Sequence, residues 1–225
     1  MDTIKDYINW NVVIWFVLFL TVFIFFGCGS DDDTADELME SETTDLTTQT
    51  PTTETQEQIN EPIALEAHTF MIDATIHEEW AYFSFETGDV VEVADAMNSD
   101  AWDIGFQRTK VKLNGGISGP GMGSAVMLAD TTFEDVDTAP EDGYRSDTDD
   151  TLAIVAQSEK GWYIYTGPPT HWILPLEDRV FVIKAADGTF AKLHFIGYYK
   201  DNANKQDSGF VTFEYAHQPD GTRNF

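Results

Sequence analysis

Few side chains in this sequence could hold a borderline or soft metal centre. Among 225 residues there are five His, six Met and one Cys. Neutral imidazole nitrogen and thioether sulfur suit such centres better than carboxylate oxygen does. His171 is the leading candidate. It follows Gly167-Pro168-Pro169-Thr170 and precedes Trp172, in a loop between candidate strands. The plain alternative is a loop His hydrogen-bonded to backbone. Met122 and Met127 flank a glycine-rich run and could each offer a thioether, although Met also fills gaps in cores. His194 shares a strand face with Lys192. His77 stands beside Glu78 and Glu79, with no second cluster to complete a coordination shell. His68 and His217, near the ends of the folded region, are expected to be solvated. Nothing supports enzyme chemistry. No Ser-His-Asp order comes with a nucleophile elbow. Acid pairs such as Asp149-Asp150 and Glu134-Asp135 read as solvated loop in so acidic a chain. The expectation is that the chain is not an enzyme.

The charge balance narrows the partners. Forty acids against 12 bases give a formal net charge of -28. Phosphate-binding surfaces need clustered Lys and Arg, so nucleic acid is excluded, and anionic lipid headgroups are disfavoured for the same reason. A hydrophobic share of 42% and an aromatic share of 13% are too high for a wholly disordered acidic chain. A single Cys leaves no internal disulfide and no cysteine-type metal cluster.

The ends of the chain are unlike its middle. Val12 to Phe26 is almost continuously apolar and is short for a bilayer span, which needs about 20 residues. It runs into Phe25-Phe26-Gly27-Cys28 and resembles a bacterial lipoprotein signal, cleaved before a Cys that is then acylated. Phe25 stands where such signals usually carry Leu, and Asp2 and Asp6 outweigh Lys5. An uncleaved transmembrane anchor is the alternative. Either way the remainder lies outside the cytoplasm, held to a membrane through Cys28 or the apolar segment. Ser30-Asp31-Asp32-Asp33 resembles the acidic surface-export signal of Bacteroidetes lipoproteins, or else simply begins an acidic linker. Residues 31–66 carry twelve acids and no Lys, Arg or aromatic residue. Such a segment cannot bury enough apolar surface to offset chain entropy, and its like charges keep it extended. The division is therefore a signal over 1–27, a disordered acidic tether over 28–67, one β domain over 68–217 and a tail over 218–225.

From His68 onward, short β-branched and aromatic runs alternate with turn signals, which predicts a single antiparallel all-β domain. Expected strands are 69–74, 81–85, 90–93, 103–113, 162–166, 179–185, 189–199 and 209–217. Asp187-Gly188 marks the clearest hairpin turn. In the strand after it, Ala191, Leu193 and Phe195 alternate with Lys192 and His194, so the Lys and His face should be the wetter one. In the last strand Val211, Phe213 and Tyr215 point inward. The run from Asn114 to Gly123 holds five glycines. It lacks the Lys and following helix of a phosphate loop, and reads as an irregular loop with close backbone packing.

Four blocks resemble the HmuY family, β-rich lipoproteins of Bacteroidetes whose best-known members are haemophores. They are Trp80-Ala81-Tyr82-Phe83-Ser84-Phe85 with Gly88-Asp89-Val90-Val91, Trp102-Asp103-Ile104-Gly105-Phe106-Gln107-Arg108 through Pro120-Gly121, Arg179-Val180-Phe181-Val182-Ile183 with Ala186-Asp187-Gly188, and Gly209 through Tyr215. Together they cover most of residues 70–217, in order. The resemblance implies an all-β fold, haem as ligand and delivery to an outer-membrane haem receptor. It implies two axial side chains, His or Met, one on a hairpin after the equivalent of Asp142-Gly143-Tyr144 and one just beyond the equivalent of Trp162. This chain departs from that pattern at both places. No His or Met lies between Tyr144 and Trp162, and the second position is Gly167, four residues before His171. His171, Met122 and Met127 are the haem-ligand candidates that remain. The alternative is a surface module that kept the fold and does not bind haem. The overall acidity gives no help in attracting the two haem carboxylates.

Overall fold

The structure is a computed structural model and describes residues 65–225. The apolar leader, Cys28 and nearly all of the acidic segment lie outside the described residues. Among the described residues, eleven antiparallel strands and one short 3-10 turn, Ala96–Asn98, make up the regular structure. The main sheet contains β1 (His68–Asp73), β6 (Ser124–Ala129), β9 (Arg179–Lys184), β10 (Phe190–Asp201) and β11 (Gln206–Gln218), in the order β1-β11-β10-β9-β6. A second sheet has the order β3-β2-β4-β5, from β2 (Ala81–Ser84), β3 (Asp89–Val91), β4 (Ile104–Gln107) and β5 (Lys110–Leu113). The third is the small hairpin β7 (Tyr163–Tyr165) and β8 (Ile173–Pro175).

Alternation along the strands builds the core. Leu193 and Phe195 of β10 and Val211, Phe213 and Tyr215 of β11 are buried on the inner face of the main sheet. They share one cluster with Phe83, Ile104, Phe106, Val111 and Leu113 of the second sheet. Phe106 stacks on Phe213 at 5.3 Å between ring centroids, and Phe83 meets Phe213 edge-on at 5.3 Å. Offset and edge contacts of this kind add to the gain from area burial.

The predicted inward face of β11 is the observed one. The expectation for the opposite face of the main sheet needs correction. Lys192 and Thr212 are buried there, because residues 133–139 and the C-terminal segment cover that face. The Lys192 ammonium donates to the carbonyls of Phe133 and Val136 at 3.0 Å each and lies 4.5 Å from the Phe133 ring centroid. The segment past β11 belongs to this cover. Phe225 packs on the second core cluster, its N–H donates to the Asp137 carbonyl, and Arg223 pairs with Glu141 at 2.8 Å.

The stretch expected as one strand over 103–113 is a hairpin. It turns at Arg108, whose φ is 56° and whose N–H donates to the Ala74 carbonyl. Two strands, β6 and β8, were not expected from the sequence.

Buried polar side chains tie the loops down, since a buried backbone N–H without a partner is costly. Asp103 accepts from the N–H groups of Phe85 at 2.8 Å and Ala186 at 2.9 Å, joining the two sheets. Burial, the largest influence, raises its pKa against these two bonds. Asp147 accepts from Leu113 and Ala153. The glycine-rich run closes around Asn114 as expected. A Cβ on Gly115 would lie 2.2 Å from the Gly123 carbonyl oxygen, so only glycine permits that approach.

Trp162 holds the small hairpin in place. Its indole stacks on Phe195 of β10 at 4.6 Å, and its ring N–H donates to the Thr109 carbonyl in the β4–β5 turn at 3.0 Å. Its own carbonyl accepts from Leu176 N–H just past β8. Trp162→Ala should lower unfolding stability by about 3–5 kcal/mol, measured by urea denaturation. Trp162→Phe should lose less, since it keeps the stacking partner and loses the hydrogen bond.

Candidate functional site

Three separate parts of the chain meet at one end of the domain. The β4–β5 turn brings Arg108 and Thr109. The β7–β8 hairpin brings Tyr165, Thr170, His171, Trp172 and Ile173. The β10–β11 hairpin brings Tyr198, Tyr199, Lys205, Asp207 and Ser208. Between them lies an open groove of about 440 Å³, within the size range of small-molecule sites.

The β7–β8 connection is shaped by its own side chains. Gly167 has a φ of 67°, and His171 N–H donates to the Gly167 carbonyl at 2.8 Å. Thr166 Oγ1 meets Thr170 Oγ1 at 2.7 Å and accepts from Trp172 N–H at 3.0 Å. Across the groove, Ile173 N–H donates to the Tyr199 hydroxyl at 2.9 Å, docking the small hairpin on β10. Asn202 Oδ1 accepts from both Tyr198 and Tyr199 N–H, where the β10–β11 register shifts.

His171 sits on this loop with a φ of 54°. The structure describes six non-glycine residues at positive φ, and four of them line the groove: Arg108, His171, Lys205 and Asp207. Such conformations cost of order 1–3 kcal/mol each and gather where surrounding structure holds a ligand site in shape. The Tyr165 hydroxyl is hydrogen-bonded to His171 Nδ1, and the two rings tilt by 35°. Tyr165 and Trp172 are about two-fifths exposed, unusual for large aromatic side chains. Behind them, Tyr198 and Tyr199 are buried. Burial, opposed by Arg108, raises the Tyr198 pKa, so that phenol stays neutral. Two cations border the groove. The Arg108 guanidinium donates to the Ser208 carbonyl at 2.7 Å and hydroxyl at 2.8 Å and lies 5.6 Å from the Tyr198 ring centroid. Lys205 donates to the Asn202 carbonyl.

The other ligand candidates lie elsewhere. Neither Met122 nor Met127 lines the groove with His171. Met122 is half exposed and reaches over Gly188. Met127 packs against the main core and borders a different cavity, with Leu128, Asp135 and Val136. His194 Nε2 is buried without a hydrogen-bond partner. No group of three or more His, Cys, Asp or Glu side chains is arranged to hold a metal ion among the described residues.

A cavity of about 490 Å³ is lined by His68 and His217. His217 is not solvated as expected. Its Nε2 bonds Thr189 Oγ1 at 2.9 Å. Half-buried and tied to the Thr189 side chain, this His is structural.

The sequence pointed to His171 and its aromatic neighbour. It did not show Arg108, Tyr198 or Lys205, which chain topology brings to the groove from distant segments. The positive φ values at Arg108 and Lys205 were not readable either, because Arg and Lys carry no turn preference of the Gly or Asn kind.

Comparison with known proteins agrees with the fold. The profile of the family described as HmuY protein matches residues 77–215, more than half of the chain, and the chain belongs to that family. HmuY proteins are haemophore-like binding proteins, not enzymes. Apo PinO from Porphyromonas gingivitis is 18% identical, with a TM-score of 0.50 over 68% of this chain and 98% of its own. An HmuY-like protein from Bacteroides vulgatus is 25% identical, with a TM-score of 0.45 over 67% of this chain and 91% of its own. A Bacteroides fragilis protein is 22% identical, with a TM-score of 0.48 over 68% of this chain and 90% of its own. No curated protein matches the chain.

Burial, the largest influence, lowers the His217 pKa from 6.5, against the pull of Asp103 and Asp187. The unfolded chain therefore takes up the proton first as pH falls. This residue's contribution is full above the unfolded pKa of about 6.5 and is lost as pH falls towards the lower folded value. Wild type should show a larger drop in urea midpoint between pH 7.5 and 5.5 than His217→Asn does. Equal drops would contradict the assignment of this His.

Proposed function

We propose that this protein captures haem or a related tetrapyrrole in the groove around His171 and presents it for uptake. The observation that carries the reading is the Tyr165–His171 pair on a preshaped loop, flanked by exposed aromatic surface and two cations. A porphyrin needs a flat apolar contact, a donor for iron, and compensation for its carboxylates. Trp172 and Tyr165 offer the first, the Tyr165–His171 pair the second, and Arg108 and Lys205 the third. The cations matter because the chain as a whole is strongly acidic. They act at short range, where the screened field of distant surface acids is weak. Haem is cargo in this reading, and the protein's work is to bind, orient and release it.

Location is part of the proposal. Acylation at Cys28 would hold the chain to the outer membrane, and the acidic run after it would direct it to the cell surface. The acidic tether would then hold the domain away from the lipid. The partner would be an outer-membrane haem receptor.

A second reading is a surface binding or structural module of the same fold that does not take haem. It is favoured by the placement of Met122 and Met127 outside the groove, which leaves His171 without a second soft donor there.

Haemin titration of the full-length protein in mild detergent separates the two. The haem reading predicts a saturable Soret shift, weakened in Trp172→Ala. No saturable shift would establish the second reading. Cys28→Ser should abolish labelling by radioactive palmitate and release the protein from the membrane fraction. Retained labelling would contradict lipid attachment at Cys28.

A further inference from the structure

We propose that the iron-binding atom of the groove is the phenolic oxygen of Tyr165, with His171 as its hydrogen-bond partner, so that the groove takes ferric rather than ferrous porphyrin. This rests on the tetrapyrrole reading and names the coordination within it.

The first reason is placement. Tyr165 and His171 share a hydrogen bond between the phenolic oxygen and Nδ1, in the open part of the groove. The imidazole is thus positioned to receive the phenol's proton. The other two groove tyrosines do not compete. Both are buried, and the Tyr199 hydroxyl already accepts from Ile173 N–H.

The second reason is charge and donor number. The groove lining holds one His and no Met or Cys. Its one carboxylate, Asp207, is on the β10–β11 hairpin, so the Tyr165–His171 pair is the donor set that the β7–β8 hairpin brings. Ferric porphyrin carries a net positive charge at its core, which an anionic oxygen neutralises and a neutral imidazole does not. Tyrosine is an established haem-iron ligand. The bookkeeping is simple. The phenol loses its proton to His171 Nδ1, its oxygen bonds the iron, and the iron gives up the water it carried in solution. No electron moves. A hard phenolate holds Fe(III) better than Fe(II), so reduction of the cargo weakens binding.

The test uses full-length protein in mild detergent, titrated with haemin in the absence and presence of dithionite. Tyr165→Phe and His171→Asn are compared with wild type. Both side chains are exposed at the groove, and Asn tolerates the left-handed backbone at 171. Circular dichroism confirms that each variant folds. Wild-type ferric complex should show phenolate-to-iron charge transfer, with phenolate modes in resonance Raman. Tyr165→Phe should lose both signals. His171→Asn should keep them with affinity lower by about 10–100-fold, as for loss of a partner behind a metal ligand. Wild-type affinity should fall on reduction. The proposal is overturned if Tyr165→Phe keeps the wild-type ferric spectrum, or if His171→Asn alone abolishes it. Unchanged affinity on reduction overturns the ferric preference. No saturable Soret shift in wild type is a different failure, because it removes the tetrapyrrole reading itself.

Discussion

The stacking of Trp162 on Phe195 is the contact on which the groove end of the domain depends. The β7–β8 hairpin is too short to stand alone, since two-stranded hairpins are marginal in water. The indole supplies what it lacks. One face rests on β10 of the main sheet, the ring N–H reaches the β4–β5 turn of the second sheet, and the backbone carbonyl holds the chain just past β8. Those are the three segments that line the groove. A single buried side chain thereby fixes their spacing, and the Ile173 to Tyr199 hydrogen bond adds a second tie.

Rigidity elsewhere serves the same end. Asp103 joins Phe85 to Ala186, and Asp147 joins Leu113 to Ala153, so long loops are held by buried carboxylates rather than by secondary structure. Residues 130–162 contain no strand, yet they are pinned by such bonds and by single bridges such as Ala125 to Arg145. A frame of this kind can hold side chains at a loop site in conformations they would not adopt alone. The left-handed backbone at Arg108, His171, Lys205 and Asp207 is the local sign of it.

The fold was legible where periodicity and burial agree. Val211, Phe213 and Tyr215 alternate cleanly and face the core. Prediction failed where a distant segment intervened. Lys192 reads as a solvent residue from its strand, but residues 133–136 fold over it and their carbonyls accept its hydrogen bonds. The stretch 103–113 reads as one strand because a single Arg, unlike Asn-Gly, does not announce a turn. At the site, His171 was legible as a polar donor beside Trp172 in a Gly-Pro-Pro loop. Its tie to Tyr165, six residues earlier, was not, because both residues must first be turned towards each other by the loop. Met122 and Met127 were plausible by chemistry alone, and topology places them on other surfaces.

The central claim is that a porphyrin sits between the β7–β8 hairpin and the β10–β11 hairpin. The most direct measurement is an NMR titration of isotope-labelled protein with gallium protoporphyrin, a diamagnetic stand-in for ferric haem. The account predicts shifts concentrated at the Trp172 indole N–H and at the amides of Thr109, His171, Ile173 and Tyr199. Shifts confined to the cavity beside Met127, or to the one lined by His68 and His217, would contradict it.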